Sequence, residues 1–406
     1  MQHPSSLSAV EERLCREVAR RGALMVEDLE RYVHIPTKTG YVTGLETFRG
    51  LVCERLASAG ATVELVPGQL APDWLYGSPA QGEVPPSAVC RRTSGRDGVR
   101  VLLSGHLDTV HPPESAFRSF DFGPGDERAT GPGCVDMKGG LVIALHALEA
   151  LEEIGVAPAW SFIFNSDEET GSYHSEEALR AEAGKHDIGL VFEPAMPGGE
   201  LVVERMGSGQ FMLEARGRSA HVGRDFFNGG VSAVTALAER LVALGRMPDA
   251  AAGRIVNIGP IEGGSATNVV PDLARAWGNV RFPTPQEADV LARMIDALAT
   301  DPGAMPSVTV RRSFNRPAKP LTPATERLAR EAQRAAEDLG QRLPFGKTGG
   351  VCDGNILHDA GLTTIDTLGA RGGGLHTTQE WIEIASLVER AQLTAVLISR
   401  LAADGR

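Results

Sequence analysis

Short apolar strands that alternate with helical segments place the strongest limit on the fold of this chain. The predicted strands are β-branched or apolar runs bounded by Gly, Pro or Asp, at residues 62–66, 99–104, 160–165, 188–192 and 363–368. Between the second and third of them, residues 137–154 carry leucines on one stripe and end at Gly155, as a helix does. This alternation predicts an α/β fold with a mixed, mainly parallel sheet flanked by helices.

The middle of the chain follows a different order. Strand, helix, strand, strand, helix and strand are predicted in turn at residues 210–216, 231–244, 254–261, 272–282, 286–299 and 307–314. This β-α-β-β-α-β order is the ferredoxin-like motif, a compact α+β unit. We therefore predict an inserted domain at residues 206–316 and one discontinuous domain formed by residues 1–205 and 317–406.

The segments before and between these strands are less regular. Residues 11–33 and 45–57 have apolar side chains at helical spacing, which predicts one amphipathic helix in each. Residues 72–86 are rich in Pro and Gly and predict an irregular loop.

Composition and charge exclude several classes of function. The formal net charge of −12 argues against a nucleic-acid partner, which requires a basic surface. No run reaches the ~18 apolar residues of a membrane span, and the first residues lack the pattern of a secretory signal. The 5 cysteines are widely spread without a C-x-x-C pair, so they suggest neither a disulfide framework nor a thiolate metal site. We expect a cytoplasmic protein with no nucleic-acid or membrane partner.

Acids and histidines follow the predicted strands. His106 and Asp108 come after the second strand, Glu168 and Glu169 after the third, and Glu193 at the end of the fourth. Open α/β sheets build their binding crevices at the carboxyl ends of the strands. Imidazole and carboxylate donors suit zinc, so the pattern predicts a metal site at this edge of the sheet.

Two glycine-rich loops supply further candidates. Asp136 lies in the run GPGCVDMKGG, and His376 lies in GGGLHTTQEW. A carboxylate has two oxygens and is able to bridge two metal ions. Each position has an ordinary alternative: Asp136 as a helix N-cap, His376 as a surface residue and the acidic run at 167–169 as a solvated loop. The coincidence of these donors in separate segments favours the metal site.

The motifs GHLDTV, GPGCVDMKGG, DEETGS, FEP and GLHTTQEW, in this order, resemble those of the zinc-dependent family of glutamate carboxypeptidase, acetylornithine deacetylase, succinyl-diaminopimelate desuccinylase and aminoacylase. The resemblance covers nearly the whole chain and is greatest to the glutamate carboxypeptidase branch. It implies two zinc ions, for which Co²⁺ or Mn²⁺ would substitute. The implied ligands are His106 and Glu193 for one ion, Glu169 and His376 for the other, and Asp136 as the bridge between them.

The resemblance also implies roles around the metals. Glu168 becomes the general base, Asp108 the partner of His106, and the Asp136–Met137 peptide a cis bond. The inserted domain becomes a lid that forms a homodimer, with His221 reaching the active site of the partner subunit. Asn268 and Arg281 match substrate-contacting positions.

Other positions leave alternatives open. Arg316 is a candidate for a second carboxylate clamp, although a surface ion pair would also explain either arginine. Cys352 stands where relatives commonly carry Ser or Thr, which leaves substrate choice open.

The predicted function is that of a di-zinc hydrolase that cleaves the amide bond next to a C-terminal amino acid with a free carboxylate. Its substrate would be a small peptide or an N-acyl amino acid. Three alternatives stay open at this point: an N-acyl amino acid deacylase, an isopeptide (β-aspartyl) dipeptidase, and a catalytically inactive homologue that binds peptides.

Overall fold

The computed structural model describes residues 7–77, 84–93, 98–156 and 158–404. The α-helices, in chain order, are α1 (Ala9–Arg20), α2 (Gly22–Val33), α3 (Val42–Ser58), α4 (Gly139–Ile154), α5 (Glu176–Ala183), α6 (Val222–Asp225), α7 (Ala233–Leu244), α8 (Pro285–Asp296), α9 (Pro323–Asp338), α10 (Asp353–Asp359) and α11 (Ala385–Asp404). The strands are β1 (Thr62–Val66), β2 (Ser87–Arg92), β3 (Val101–His106), β4 (Asp121–Phe122), β5 (Arg128–Thr130), β6 (Trp160–Asn165), β7 (Ile188–Val191), β8 (Leu201–Arg205), β9 (Gly207–Arg216), β10 (Ala220–His221), β11 (Ile255–Gly263), β12 (Val269–Val270), β13 (Leu273–Phe282), β14 (Ser307–Arg316), β15 (Phe345–Thr348), β16 (Thr363–Ile365), β17 (Gly372–Gly373) and β18 (Trp381–Glu383).

The central sheet has the strand order β1-β2-β6-β3-β7-β16. β3 runs parallel to β6 and β7, and β16 runs parallel to β7, whereas β2 is antiparallel to both β1 and β6. The predicted mixed, mainly parallel sheet is confirmed. In the register of β3 with β6, His106 lies opposite Asn165, so the segments that follow these two strands leave the sheet at the same edge.

Helices cover both faces of this sheet because successive side chains of a strand point to opposite sides. Leu103 packs in the large cluster that includes side chains of α4 and α11, such as Leu141 and Leu393. Its neighbour Leu102 packs in a second cluster with Leu179 of α5 and Ile356 of α10. β3 is buried along its whole length, and its first three residues are apolar on both faces, as expected of a central parallel strand.

The inserted segment has its own sheet and its own core. β11, β13, β9 and β14 form an antiparallel sheet in that order, and α7 and α8 pack against it. The predicted order of strands and helices is confirmed. The predicted limits, residues 206 and 316, fall beside the first residue of β9 and on the last residue of β14, while the division of the chain at these residues stays a prediction.

Two predicted elements differ from the structure. Residues 11–33 form two helices, α1 and α2, rather than one, with Arg21 between them. The break lets Arg21 bond Glu17 and Glu149 and brings Gly22 against α11, where an added Cβ would lie 3.2 Å from Val388. The last strand of the central sheet is shorter in the structure than the predicted residues 363–368.

That strand, β16, ends at Ile365. Thr367 has a φ of 63°, which no strand residue adopts, and the carboxylate of Asp366 turns to Arg205 and Lys319. The predicted loop at 72–86 has neither helix nor strand in the parts that are described, and residues 78–83 of it lie outside the described residues. Among the helices of the described chain, none combines the length and the apolar character needed to cross a bilayer.

Candidate active site

Three of the predicted metal ligands meet where β3 ends. His106 is its last residue, and its Nε2 lies 3.3 Å from Oδ1 of Asp136 and 3.9 Å from Oε1 of Glu193. All three side chains are buried, and their ligand atoms lie within 4.8 Å of one another. Nδ1 of His106 bonds the backbone oxygen of Asp108 at 2.9 Å, which directs Nε2 towards the two carboxylates.

A second group of three shares Asp136 with the first. Nε2 of His376 lies 3.4 Å from Oδ2 of Asp136 and 3.1 Å from Oε2 of Glu169. The ligand atoms of Asp136, Glu169 and His376 also lie within 4.8 Å of one another. Each oxygen of Asp136 therefore faces a different ligand group. The Asp136–Met137 peptide is cis, as the resemblance implied.

The donors at these two groups fit divalent metal ions. His106 Nε2 and Asp136 Oδ1 are buried without a hydrogen-bond partner, a costly state for polar atoms unless a cation binds them. Burial would raise the pKa of Asp136, but the imidazoles of His106 and His376 outweigh it and hold that pKa well below its usual range. Burial raises the pKa of Glu169 to about 7. Imidazole and carboxylate donors are those that zinc takes in catalytic sites.

Asp108 contacts both His106 and the acidic loop that carries Glu168 and Glu169. Its carboxylate accepts hydrogen bonds from the backbone N–H groups of Glu168 and Glu169, each at 3.1 Å, and from the hydroxyl of Thr39 at 2.7 Å. Its Oδ1 lies 3.5 Å from Nδ1 of His106. Asp108 thus holds the start of the short 3-10 helix Glu168–Thr170, and with it both glutamates.

Glu168 belongs to neither ligand group. Its Oε1 accepts a hydrogen bond from Nη1 of Arg316 at 2.7 Å, and it faces the same cavity as Glu169 and His376. A carboxylate beside two metal ligand groups, but outside both, is placed to exchange a proton with a water or a substrate there.

A cavity of about 930 Å³ is lined by Glu168, Glu169 and His376 together with residues of the inserted segment. Ser208 of β9 is in register with Arg281 of β13 on one side and Arg316 of β14 on the other, so both guanidinium groups reach the cavity from the same end of the inserted sheet. Nη1 of Arg281 is buried without a hydrogen-bond partner. Burial and the charge of Arg316 lower the pKa of Arg281.

Part of the cavity wall is apolar. Leu70, Leu75 and Tyr76 from the loop after β1 line it. This loop also contacts the inserted sheet, because Nε1 of Trp277 donates to the backbone oxygen of Trp74 at 2.7 Å and the rings of Tyr76 and Trp277 meet edge to face. The cavity thus has a cationic end near Arg281 and an apolar side.

The model of peptidase family M20/M25/M40 matches residues 102–400, a range that holds every candidate ligand named above. The chain belongs to this family. Carboxypeptidase G2 from Pseudomonas sp. (strain RS-16) is 28% identical to this M20/M25/M40 member over 387 residues, which cover 93% of this chain and 89% of the relative. The predicted family and enzyme class, a zinc-dependent peptidase or amidohydrolase, are confirmed.

Solved structures of similar fold include peptidases of the same family. A tripeptidase from Staphylococcus aureus has a TM-score of 0.75 and 23% identity, and the match covers 94% of this chain and 99% of that one. A dinuclear metal-binding M20 peptidase from Bacillus subtilis has a TM-score of 0.66 and 15% identity, with 95% and 99% covered. At these identities the likeness shows the fold alone.

Two predicted substrate-contacting residues, His221 and Asn268, lie outside this cavity. His221 and Asn268 are exposed and neighbour each other, since β10 pairs with β12 and the N–H of Val222 donates to the backbone oxygen of Asn268. Neither lines the cavity. Cys352 is buried at the start of α10, behind Gly350 and Val351, which do line the cavity.

Several residues of the site carry no mark in the sequence patterns described above. Ser208, Gln210 and Asn279 line the cavity from the inserted sheet, and no local motif marks them. Glu380 lies inside the GLHTTQEW motif, four residues after His376. An acid at this spacing from a candidate metal ligand is the sequence signal that marks it.

Proposed function

We propose that this chain is a di-zinc hydrolase that cleaves the amide bond next to a C-terminal amino acid whose carboxylate is free. Small peptides and N-acyl amino acids are the proposed substrates. The observation that carries the proposal is the position of Asp136, which belongs to two groups of ligands at once, next to a cavity that is lined by Glu169, His376 and Arg281.

His106, Asp136 and Glu193 would hold one zinc ion, and Asp136, Glu169 and His376 the other. When bound, the two ions acidify a water and polarise the carbonyl of the scissile amide. The same donors accept Co²⁺ and Mn²⁺, so these ions are the proposed substitutes for zinc.

Glu168 acts as the general base in this proposal. Its carboxylate removes a proton from the attacking water and returns it to the nitrogen of the leaving amine. Arg316 and the N–H bond to Asp108 keep the side chain and the backbone of Glu168 in place while the proton moves. Asp108 is therefore a positioning residue for both Glu168 and His106.

Arg281 is the proposed partner of the substrate carboxylate. A guanidinium pairs with a carboxylate through two parallel hydrogen bonds, and Nη1 of Arg281 has no hydrogen-bond partner among the described residues. Arg316 is less available for this task, because Glu168 and Ser172 already occupy its Nη atoms. Its predicted role as a second clamp remains a prediction.

A homodimer through the inserted segment completes the proposal. β11 is an edge strand that exposes Ile255 and Ile261, and beside it an apolar groove runs between β11 and α7. A second copy of the chain would cover this surface and bring its own His221, with Asn268, to the substrate of the first. Light scattering after gel filtration measures the mass in solution, and a monomer would contradict this part.

Metal analysis and a substrate screen test the proposed function together. The purified chain is measured for zinc by mass spectrometry and then assayed for amino acid release from C-terminal dipeptides, β-aspartyl dipeptides and N-acyl amino acids. The assay is repeated after chelation and after zinc return, and each substrate is paired with its C-terminal amide as a control.

Two zinc ions per chain, with chelator-sensitive release that requires the free carboxylate, support the proposal. Release from only one substrate class decides between a carboxypeptidase, a deacylase and an isopeptidase. No bound metal and no activity after zinc return would contradict it and favour the inactive peptide-binding homologue.

A further inference from the structure

Glu380 lies four residues after His376 and is 1% exposed. Its carboxylate accepts hydrogen bonds from four donors. Oε1 accepts from the backbone N–H groups of Val135 at 2.9 Å and Asp136 at 3.0 Å. Oε2 accepts from the N–H of Gly133 at 2.8 Å and bonds Nε2 of His111 at 2.8 Å.

These bonds join two of the three segments that carry the ligands of the second group. The turn from Gly133 to Asp136 provides the shared carboxylate, and the segment of Glu380 provides His376. The backbone reinforces the junction, since the N–H of Gly131 donates to the backbone oxygen of Glu380 at 3.3 Å. The distance between Asp136 and His376 is thus held by one buried carboxylate.

The first ligand group depends on Glu380 much less. His106 is fixed by β3 and by its bond to the backbone oxygen of Asp108, and Glu193 follows β7 in the central sheet. Only Asp136 links that group to the turn that Glu380 holds. A loss of Glu380 should therefore affect the two groups unequally, which a general loss of stability would not do.

We propose that Glu380 is a positioning residue that sets the spacing of Asp136 and His376 and thereby the affinity of the second metal position. The inference rests on the proposed function, because it assumes that both groups bind zinc. Glu380 acts through the backbone of Asp136 and touches neither a metal nor the substrate.

Glu380→Gln tests this inference with little change in shape. Glutamine has an NH₂ group in place of one carboxylate oxygen. Both oxygens of Glu380 accept from backbone N–H groups, so in either orientation of the amide its NH₂ must face a backbone N–H donor. Chelated protein is titrated with Zn²⁺ by calorimetry. Wild type should bind two ions, whereas Glu380→Gln should bind one ion with nearly unchanged affinity and the other about 10-fold more weakly, the scale on which outer-shell partners act.

A double-mutant cycle assigns the effect to the second group. In a His376→Ala background the second position is already disabled, so adding Glu380→Gln should change zinc binding little further. Glu182→Gln is the matched control, because Glu182 is a buried carboxylate paired with Arg91 and Lys185 and does not line the cavity. This control should bind both ions as wild type does.

Equal affinities in wild type and Glu380→Gln, or an equal loss at both positions, would overturn the inference while leaving the proposed function intact. No zinc binding by wild type would overturn the proposed function itself. If Glu380→Gln does not fold, His111→Ala removes one of the four donors and keeps the three backbone ones. It should weaken the same position selectively by a smaller factor, and unchanged binding would again contradict the inference.

Discussion

Arg316, the last residue of β14, donates from Nη1 to Oε1 of Glu168 at 2.7 Å, and so joins the inserted sheet to the acidic loop of the central sheet. Nη2 of the same guanidinium donates to the backbone oxygen of Glu168 at 3.0 Å and to the hydroxyl of Ser172 at 2.6 Å. The arginine is 3% exposed. The proposed base is therefore held by a residue from the other unit of the chain.

Arg316→Lys should lower kcat by about 10-fold while zinc content and KM stay near wild type. The ammonium group of a lysine is unable to reproduce the planar guanidinium, which bonds Oε1 and the backbone oxygen of Glu168 and the hydroxyl of Ser172. A lost hydrogen bond to a charged group is worth about 1.5–3 kcal/mol. Steady-state kinetics on the substrate from the screen measure the split. Arg312→Lys, at the exposed pair with Asp296, is the control. A raised KM with unchanged kcat would instead support the carboxylate-clamp role of Arg316.

Glu168→Gln should keep both zinc ions and lose activity by a factor of about 10²–10⁴, the usual contribution of a general base. The metal is retained because Glu168 is in neither ligand group. Zinc by mass spectrometry and kcat are measured on the same preparation, beside Glu177→Gln, whose carboxylate bonds Gln69 at the surface. A variant that hydrolyses at a near wild-type rate would remove Glu168 from its assigned role.

Arg281→Gln should lower kcat/KM by about 10- to 100-fold for substrates with a free carboxylate, since it removes a charged hydrogen-bond partner worth about 1.5–3 kcal/mol. The corresponding C-terminal amides should react equally slowly with wild type and variant, because an amide substrate has no negative charge for Arg281 to bind. Rates on both substrate series are compared for both proteins. An equal loss on acid and amide would show that Arg281 acts on something other than the carboxylate.

The folded protein without metal should lose the stabilisation that Asp28 provides when the pH becomes acidic. Burial would raise the pKa of Asp28, but its hydrogen bonds with His146 and Arg55 outweigh burial and lower it. A lowered folded-state pKa stabilises the protein above the unfolded value of about 4, and this stability is lost as pH falls through the folded value. Asp28→Asn should cost about 2 kcal/mol at pH near 7, by analogy with other charged hydrogen bonds.

The difference between wild type and Asp28→Asn should shrink as the pH is lowered below about 4, because wild-type Asp28 then becomes neutral as well. Urea unfolding of chelated protein at a series of pH values measures this difference. Glu239→Gln, at an exposed pair with Arg240, should show no such convergence. A difference that stays constant down to acid pH would mean that the effect of Asp28 is steric.

Three of the candidate ligands, His106, Glu169 and Glu193, could be predicted from the sequence because each lies at or just after the end of a strand that the local pattern defines. β6 occupies residues 160–165 as predicted, and the acids that follow it directly must therefore lie at the edge of the sheet. Asp136 and His376 were detectable for a different reason, since glycine-rich loops carry them beside a helix start or a short strand. The β-α-β-β-α-β order was likewise visible in the change of period along the chain.

The partners of these residues were decided only by the tertiary structure. Arg316 is 148 positions from Glu168, and Val135 is 245 positions from Glu380, so no local pattern reports either contact. The first contact depends on the register of β9 with β14 and on how the inserted sheet packs over the central one. The second depends on a turn whose N–H groups converge on one carboxylate. Sequence patterns determine which side chains reach the edge of a sheet, whereas the packing of distant segments determines what each of them binds.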